Sequence, residues 1–497
     1  MRLLAIAALL VGCGSSWSGP GDGGPEADAS SAPDATASDA GPIRDGGADL
    51  AVGPDASDRD ASAADAFTPS DAGAVACADY PELVHTGDLV ITDAVSLAEA
   101  SAVTTVEGTL EVRVTGEVVL RRLRSVGTLE LGTRDGPLEV AMPCLRDVTS
   151  LTTRNECTLS SPPIEVETAS LSGTSNLPSL VSATEIGGGG NLNLPGLVRV
   201  TDGNLHPRSI ALPALQAADY LFIQAPPEGA ERFADVPVDL PSLVSVTRLI
   251  VETNGAVNAP ALERAESIGV LAAAGDFSGL QSVTLAFRFH RRPGFSGTLD
   301  LASLVSIEDL YVSAHAPSTL RAPRLAEAEW IELGNIRPEM HALERVQHLF
   351  IQGGAGFELP ILRYVVEVHV WDLVSTQPLT LPVEGYTSDH IPHVTVSDSQ
   401  APSLYLLGTS LLELSVSSSA IPLISIPNAA TINFLTLANS EVEELELSSP
   451  PTAYWLWLSN VVGITQCECE ALAPYIIDDG HVSTGGDLRC EGLAPCE

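Results

Sequence analysis

Eight cysteines are the residues of this 497-residue chain whose spacing most directly implies chemistry. Four of them, Cys467, Cys469, Cys490 and Cys496, crowd the C-terminus in the pattern C-x-C…C-x₅-C. Zinc sites use C-x₂₋₄-C spacings, so this pattern favours disulfides over a metal ion. A bond between Cys467 and Cys469, which one residue separates, is disfavoured. We therefore expect each of them to pair with Cys490 or Cys496.

The other cysteines lie near the N-terminal half of the chain. Cys144 and Cys157 flank a polar stretch, and we expect them to form a disulfide that staples one loop. Cys77 is then left without an assigned partner.

Two histidine-containing segments could ligate a metal. His390 and His393 lie three residues apart, but the proline between them bars a helix, and loop residues without a ligand explain them as well. The pair Asp478-Asp479 beside His481 could hold calcium, although such pairs are common in loops. Nucleophile, phosphate-loop and zinc-protease motifs are absent from the sequence. We therefore expect neither a metal nor a cofactor, and no catalytic residue.

The first residues have the layout of an export signal. Arg2 precedes an apolar run over residues 3–11, which is too short to span a bilayer. The following Leu10-Val11-Gly12-Cys13 resembles the bacterial lipobox. The resemblance implies that residues 1–12 are removed, that Cys13 is lipidated and holds the protein on a membrane, and, with Gly14 following, that this is the outer membrane or cell surface. An ordinary secreted protein with a chance cysteine is the alternative.

Residues 13–76 consist mainly of Asp, Ala, Gly, Pro and Ser. Such a segment has too little apolar surface to offset the entropy lost on folding. Its excess of acids makes it repel itself, so we expect an extended, disordered linker.

The charge of the chain excludes several partners. The formal net charge is −40, and all 24 basic residues are arginines. Nucleic acid binding requires a basic face that displaces counterions, so we expect no nucleic acid partner. Direct docking on anionic lipid headgroups is disfavoured by the same repulsion.

A leucine repeat organises the rest of the chain. Each anchoring leucine is followed by apolar residues two apart, the pattern of a short strand with one buried face. Two short strands in every 20 or so residues indicate coils that stack and share one core. We predict an all-β, right-handed β-solenoid of about twenty coils over residues 77–466, closed by a Cys-rich cap over residues 467–497. The anchors, mostly 17 to 24 residues apart, are Leu180, Leu197, Leu215, Leu243, Leu262, Leu280, Leu304, Leu325, Leu343 and Leu362.

The repeat phrase Leu-Pro-x-Leu-x-x-Val-x-x-Leu-x-Val resembles the receptor L-domain, the leucine-rich β-helical ligand-binding module of growth-factor receptors. It is also similar to the bacterial counterpart on lipoproteins of myxobacteria-like organisms, which lies behind Asp/Ala/Gly-rich stalks. The resemblance covers roughly residues 85–465 and implies a ligand-binding solenoid. No invariant functional residue accompanies it, and the coils hold fewer cysteines than the receptor modules.

Aromatic residues are 5% of the chain but cluster at outward positions of the predicted strands. Exposed aromatics are typical binding anchors, whereas aromatics that stack along strands stabilise a sheet. The sequence leaves both interpretations open. The candidate ligand-binding residues are Tyr220, Phe222, Tyr311, Trp330, His348, Phe350 and His369.

Two classes of function fit these features. The first is a cell-surface binding or adhesion protein for an unknown peptide, protein or glycan. The alternative is a β-helical carbohydrate-active enzyme, a polysaccharide lyase or hydrolase. An enzyme would need carboxylates that converge in one cleft, and the candidates are Asp309, Glu332 and Glu367.

Overall fold

The structure is a computed structural model, which describes residue 77 and residues 80–133, 136–227, 233–291, 297–354, 362–381, 392–408, 410–428, 431–447, 452–476 and 487–496. The chain divides into two units, Met1–Ala74 and Val75–Glu497, and all described residues belong to the second. The predicted signal peptide, the lipidation site Cys13 and the linker lie outside the described residues.

The second unit is a parallel β-solenoid of about 17 turns, which confirms the predicted fold class. Every pairing between its named strands is parallel. One strand of each coil belongs to a first face of the solenoid, and many coils add a strand to a second face. Within the described residues, no helix is long and apolar enough to cross a membrane.

The N-terminal coils contain eleven strands and one short helix, α1 (Ala94–Ala100). The last three strands are 13 or 14 residues long, because they continue around the corner between the two faces. The strands are β1 (Val84–His85), β2 (Leu89–Ile91), β3 (Thr105–Val112), β4 (Gly116–Val119), β5 (Ser125–Gly132), β6 (Leu138–Ala141), β7 (Asp147–Arg154), β8 (Glu156–Ser160), β9 (Ile164–Asn176), β10 (Leu180–Asn193) and β11 (Arg199–Ala211).

The central coils carry most of the candidate site. On the first face, successive strands of this region pair in the order β12, β14, β16, β18, β20, β21, β22 and β23. The strands are β12 (Ala217–Gln224), β13 (Val238–Asp239), β14 (Ser245–Glu252), β15 (Ala256–Asn258), β16 (Arg264–Ala272), β17 (Ala274–Asp276), β18 (Ser282–Arg291), β19 (Thr298–Asp300), β20 (Ser306–Arg321), β21 (Glu327–Glu339), β22 (Arg345–Gln352) and β23 (Glu367–Trp371).

The C-terminal coils keep two strands each, and their second strands form a separate four-stranded sheet. The last strand, β32, lies within the predicted cap and pairs with β31, so it continues the first face. The elements are β24 (Leu379–Leu381), β25 (His393–Ser397), β26 (Ser403–Leu406), β27 (Ser410–Ser417), β28 (Leu423–Ile426), β29 (Thr431–Ala438), β30 (Glu444–Leu447), β31 (Thr452–Ser459), α2 (Gln466–Glu470), a 3₁₀ turn (Ala473–Tyr475) and β32 (Asp487–Glu491).

The repeating leucines and valines form one continuous core. In a typical coil the anchor Leu243 and the strand residues Leu249 and Val251 are all fully buried, whereas Arg248 and Ile250 between them point outward. Full burial of one such side chain contributes roughly 1.5–3 kcal/mol. No coil can bury this face alone, so each coil depends on its neighbours for stability.

The corners of the coils require unusual backbone conformations. Several first-face strands are followed directly by a residue with positive φ, such as Asn439 at 52° after β29 and Asn460 at 51° after β31, and asparagine tolerates this region well. The same position recurs as Asp372, Asp398 and Ser418. In the long strand β10 the corner is made by glycines. Gly188 has a φ of 135°, and a Cβ there would collide with the carbonyl oxygen of Leu171 on the preceding coil.

The disulfides confirm the C-terminal prediction and correct the N-terminal one. Cys467 bonds Cys496, and Cys469 bonds Cys490, as the sequence predicts. The predicted pair Cys144–Cys157 is wrong. Instead Cys77 bonds Cys144, so Cys77 is not left over, and Cys157 is a buried free thiol.

The register of β6 and β8 explains this correction. Cys157 lies opposite Leu138, the first residue of β6, whereas Cys144 follows the end of that strand. A disulfide requires Cα atoms roughly 4.4–6.8 Å apart, which two opposite ends of a strand do not allow. The Cys77–Cys144 pair satisfies the requirement, with its Cα atoms 5.6 Å apart.

Candidate functional site

A ladder of aromatic rings lies on the outer side of the first face, on strands β20 to β23. This ring ladder consists of Tyr311, Trp330, His348, Phe350, His369 and Trp371, which are all half-buried. The strand alternation that buries Leu310, Ile331, Leu349 and Val368 also directs the rings of the neighbouring residues outward. Five of the seven predicted binding residues therefore lie together on this ladder: Tyr311, Trp330, His348, Phe350 and His369.

The rings of the ladder contact one another. The Trp330 and Phe350 rings stack with centroids 4.5 Å apart, and the Phe350 and His369 rings stack at 4.9 Å with planes only 2° apart. Trp330 also meets Tyr311 at 6.4 Å and His348 at 5.1 Å. Because these faces cover each other, the ladder stabilises neighbouring coils, as the stacking interpretation predicts. A ligand that approaches it meets ring edges and the polar groups beside them.

Tyr220 and Phe222 lie on β12, four strand steps from β20, and form a separate cluster. The Phe222 ring meets His206 edge to face at 5.9 Å, and the Arg248 guanidinium stands 5.8 Å above the Tyr220 ring. The seven predicted binding residues are thus divided between two clusters.

One carboxylate holds two histidines of the ladder in place. Glu367 accepts hydrogen bonds from His348 Nδ1 at 2.9 Å and from His369 Nε2 at 2.7 Å. These bonds favour the ionised carboxylate, so the pKa of Glu367 lies below its usual value, chiefly through the hydrogen bond from His369. The cluster fixes the His369 ring where it stacks on Phe350.

A second carboxylate is in the opposite situation. Partial burial raises the pKa of Asp309, and the negative charge of Glu329 raises it further, while Arg288 acts against both. Arg288 also stands over the Tyr311 ring at 5.1 Å. Burial and the nearby Glu329 carboxylate therefore disfavour the charged form of Asp309 more than Arg288 favours it.

A groove of about 590 Å³ runs beside the ring ladder, at the beginnings of strands β18, β20, β21 and β22. Its polar lining includes the carboxylates of Glu308, Glu327 and Glu329, the guanidinium of Arg345 and the ring of Tyr364. Two outward residues, Glu308 and Asp309, separate the inward side chains of Ile307 and Leu310. Because of this longer spacing, Glu308 lies in the groove and not on the ring ladder.

Sequence reasoning missed this groove. The sequence does contain a signal for it. In most repeats the first two inward residues of the strand are three positions apart, as Val246 and Leu249 are, and the next inward residue follows two positions later. A three-residue spacing in a strand indicates a bulge, and bulges re-aim side chains.

The three carboxylates proposed for an enzyme do not all meet. Asp309 pairs in register with Trp330, Trp330 with His348, and His348 with Glu367. Three strand steps, about 14 Å, therefore separate the backbones at Asp309 and Glu367. Glycosidase carboxyl pairs work at about 5–10 Å.

The histidine candidates for metal binding are only partly described. His393 lies on β25, with Nδ1 3.5 Å from a carboxylate oxygen of Glu413. His390, Asp478, Asp479 and His481 lie outside the described residues. In the part of the chain that the structure describes, no group of three His, Cys, Asp or Glu residues has the geometry to hold a metal ion.

Among known proteins, no family model, no curated protein and no solved structure matches the chain.

Proposed function

We propose that this protein is a bacterial cell-surface lipoprotein that recognises a ligand through the first face of its solenoid. Lipid on Cys13 anchors it, and the acidic linker over residues 13–76 holds the solenoid away from the membrane. The lipobox resemblance and the linker composition support this anchoring. The resemblance to receptor L-domains, and to their counterpart on myxobacterial lipoproteins, supports a binding function.

The groove beside the ring ladder is the observation that carries the proposal. It is concave, it crosses several coils, and it combines carboxylates, the Arg345 guanidinium and the Tyr364 ring, none of which belongs to the core. A concave surface on which a few polar groups converge is a usual form of binding site. Rigid strands on either side hold these groups in position before a ligand arrives.

A carbohydrate-active enzyme is the weaker alternative. Of the three candidate carboxylates, Asp309 and Glu367 are separated by three strand steps, about 14 Å, which does not suit a pair that acts on one glycosidic bond. Only a pair that includes Glu332, on the strand next to that of Asp309, would be closer. Binding requires no such convergence.

The test is to obstruct the groove without touching the core. Thr284 and Gln347 are exposed groove residues, and we propose the double variant Thr284→Arg with Gln347→Arg. The matched control is Thr298→Arg with Thr380→Arg, which adds the same charge to the second face. Full-length protein and both variants are applied to peptide, protein and glycan arrays.

We expect the wild type and the control to capture the same ligands and the groove variant to lose at least about tenfold in affinity, because two bulky side chains then fill the groove. The proposal is refuted if the wild type captures nothing, or if the groove variant binds as the wild type does.

A further inference from the structure

The dimensions of the groove suit one extended chain. It begins at Ser282 on β18 and ends at Tyr364, beyond β22, which is four strand steps or about 19 Å. Its lining also includes four buried residues, Val283, Ile307, Ala328 and Val346. A polypeptide extended along the groove rises about 3.3 Å per residue, so roughly six residues would fill it.

The charge in the groove is negative and incompletely balanced. Arg345 lies 3.9 Å from Glu327 and is the one arginine of the lining. Among the described residues, Glu308 and Glu329 have no ion-pair or hydrogen-bond partner for their side chains. Asp309, next to Glu308, has a raised pKa because burial and Glu329 disfavour its charge.

The groove holds one guanidinium group of its own, at the end nearest Tyr364. The Arg345 guanidinium stands 5.5 Å above the Tyr364 ring while it faces Glu327. A second guanidinium, that of Arg288, lies outside the groove at the ring ladder, where it stands 5.1 Å above the Tyr311 ring and lowers the pKa of Asp309. Among the described residues, Glu308 on β20 and Glu329 on β21 line the groove without a guanidinium paired to either carboxylate.

A second concavity of the protein shows the opposite pattern. It is lined by Glu111 and Glu130, and each carboxylate forms an ion pair with an arginine of the same surface, Arg113 and Arg154 respectively. The protein thus balances its acids internally in that place but leaves two of them unpaired in the groove.

We propose that the groove binds an extended polypeptide segment that carries arginine side chains, with Glu308 and Glu329 as their carboxylate partners and the edge of the ring ladder beside them. The inference rests on the proposed function and names its ligand class. A planar guanidinium can bond a carboxylate with two hydrogens and lie against a ring, whereas an ammonium group offers only a point charge. A neutral glycan would leave both carboxylates without a partner.

The experiment measures binding of a fluorescent probe peptide, Gly-Arg-Gly-Arg-Gly-Arg-Gly, to the full-length protein by anisotropy. The same peptide with citrulline in place of arginine keeps the shape and removes the charge, and a neutral glucan hexasaccharide tests the other ligand class. The groove variant is Glu308→Gln with Glu329→Gln. The control variant is Glu444→Gln with Glu446→Gln on the exposed side of β30, which changes the net charge equally.

We expect the arginine peptide to bind at least about tenfold more tightly than the citrulline peptide, and the groove variant to lose about tenfold in affinity while the control loses less than about twofold. Equal losses in both variants would mean attraction to the overall negative charge and would overturn the inference. So would binding of the citrulline peptide as tight as that of the arginine peptide.

The remaining outcomes separate the two proposals. If the glucan binds in place of the peptide, and obstruction of the groove with Thr284→Arg and Gln347→Arg abolishes that binding, the recognition function stands and the arginine inference is wrong. If neither probe binds and the arrays are also empty, both are wrong.

Discussion

The ring ladder makes a quantitative prediction about how neighbouring coils are coupled. Trp330 on β21 and Phe350 on β22 stack with their ring centroids 4.5 Å apart and their planes 17° apart. They are diagonal neighbours, since Trp330 pairs in register with His348. The perturbation is Trp330→Ala, Phe350→Ala and the two together, which form a double-mutant cycle.

The structure sets the expected magnitudes. A stacked aromatic pair contributes about 0.5–1.5 kcal/mol beyond its buried area, so the coupling energy between Trp330 and Phe350 should lie in that range. The double variant loses five ring contacts, three of Trp330 and three of Phe350 with one shared. At 0.2–1 kcal/mol for each cross-strand pair, the total cost is about 1–5 kcal/mol.

One atom opposes this stabilisation. Trp330 Nε1 is buried and has no hydrogen-bond partner among the described residues, and an unsatisfied donor costs about 1–3 kcal/mol. Trp330→Phe keeps a stacked ring and removes the orphan N–H. We therefore expect Trp330→Phe to be neutral or stabilising, whereas Trp330→Ala destabilises.

Hydrogen exchange is the suitable assay, because long repeat arrays do not always unfold as one unit and local opening free energies can be read strand by strand. Amides of β21 and β22 should lose protection in the double variant, while amides of β29 and β31 should not. The control cycle joins Trp330→Ala with Trp457→Ala, on the distant β31, and its coupling energy should be below about 0.3–0.5 kcal/mol.

A Trp330–Phe350 coupling energy equal to that of the control cycle would refute this prediction. In that case the rings merely lie side by side, and their burial does not link the coils. A double variant that keeps full protection but loses ligand capture would instead favour the binding interpretation of these rings over the stacking one.

Four further predictions concern other residues. Cys13→Ser should release the protein from membranes, since it removes the acylated residue; a variant that stays in the membrane fraction after a carbonate wash would refute the lipoprotein proposal. Burial raises the pKa of the Cys157 thiol to about 11, so iodoacetamide at pH 8 should label this thiol only after the protein unfolds. Rapid labelling of the native protein would contradict the place of Cys157 in the core. Folding lowers the pKa of Glu367, so the stability that its carboxylate contributes is present above its usual pKa of 4.5 and is lost as the pH falls through the folded pKa. Glu367→Gln should therefore destabilise the protein at pH 7 and less so at pH 3. Equal destabilisation at both pH values would rule out an ionic origin. Folding raises the pKa of Asp309, so its ionisation reduces stability as the pH rises above its usual pKa of 3.8. Asp309→Asn should therefore stabilise the protein at pH 7 and have no effect at pH 2.5. Urea denaturation of the wild type and the variant at the two pH values measures the difference.

The sequence alone predicted the solenoid, because the signal for it is local and is repeated in every coil. Alternation of Leu249 and Val251 with Arg248 and Ile250 assigns each side chain to the inside or the outside of its strand. The pairing of Cys467 and Cys469 with two nearby cysteines was also predictable, since short chain segments join all four.

The tertiary structure decided the features that depend on which coil lies beside which. Cys77 bonds Cys144, 67 residues away, because the N-terminal segment meets the end of β6, and no spacing in the sequence carries that information. The ring ladder arises because the register sets Phe350 diagonally against Trp330. The groove arises because outward carboxylates from β20 and β21 stand beside Arg345 and Tyr364 from later coils. A periodic sequence specifies the direction of each side chain within its own strand. Which side chains of the adjacent coils lie beside it depends on the length of every turn between the strands, and those lengths vary from coil to coil.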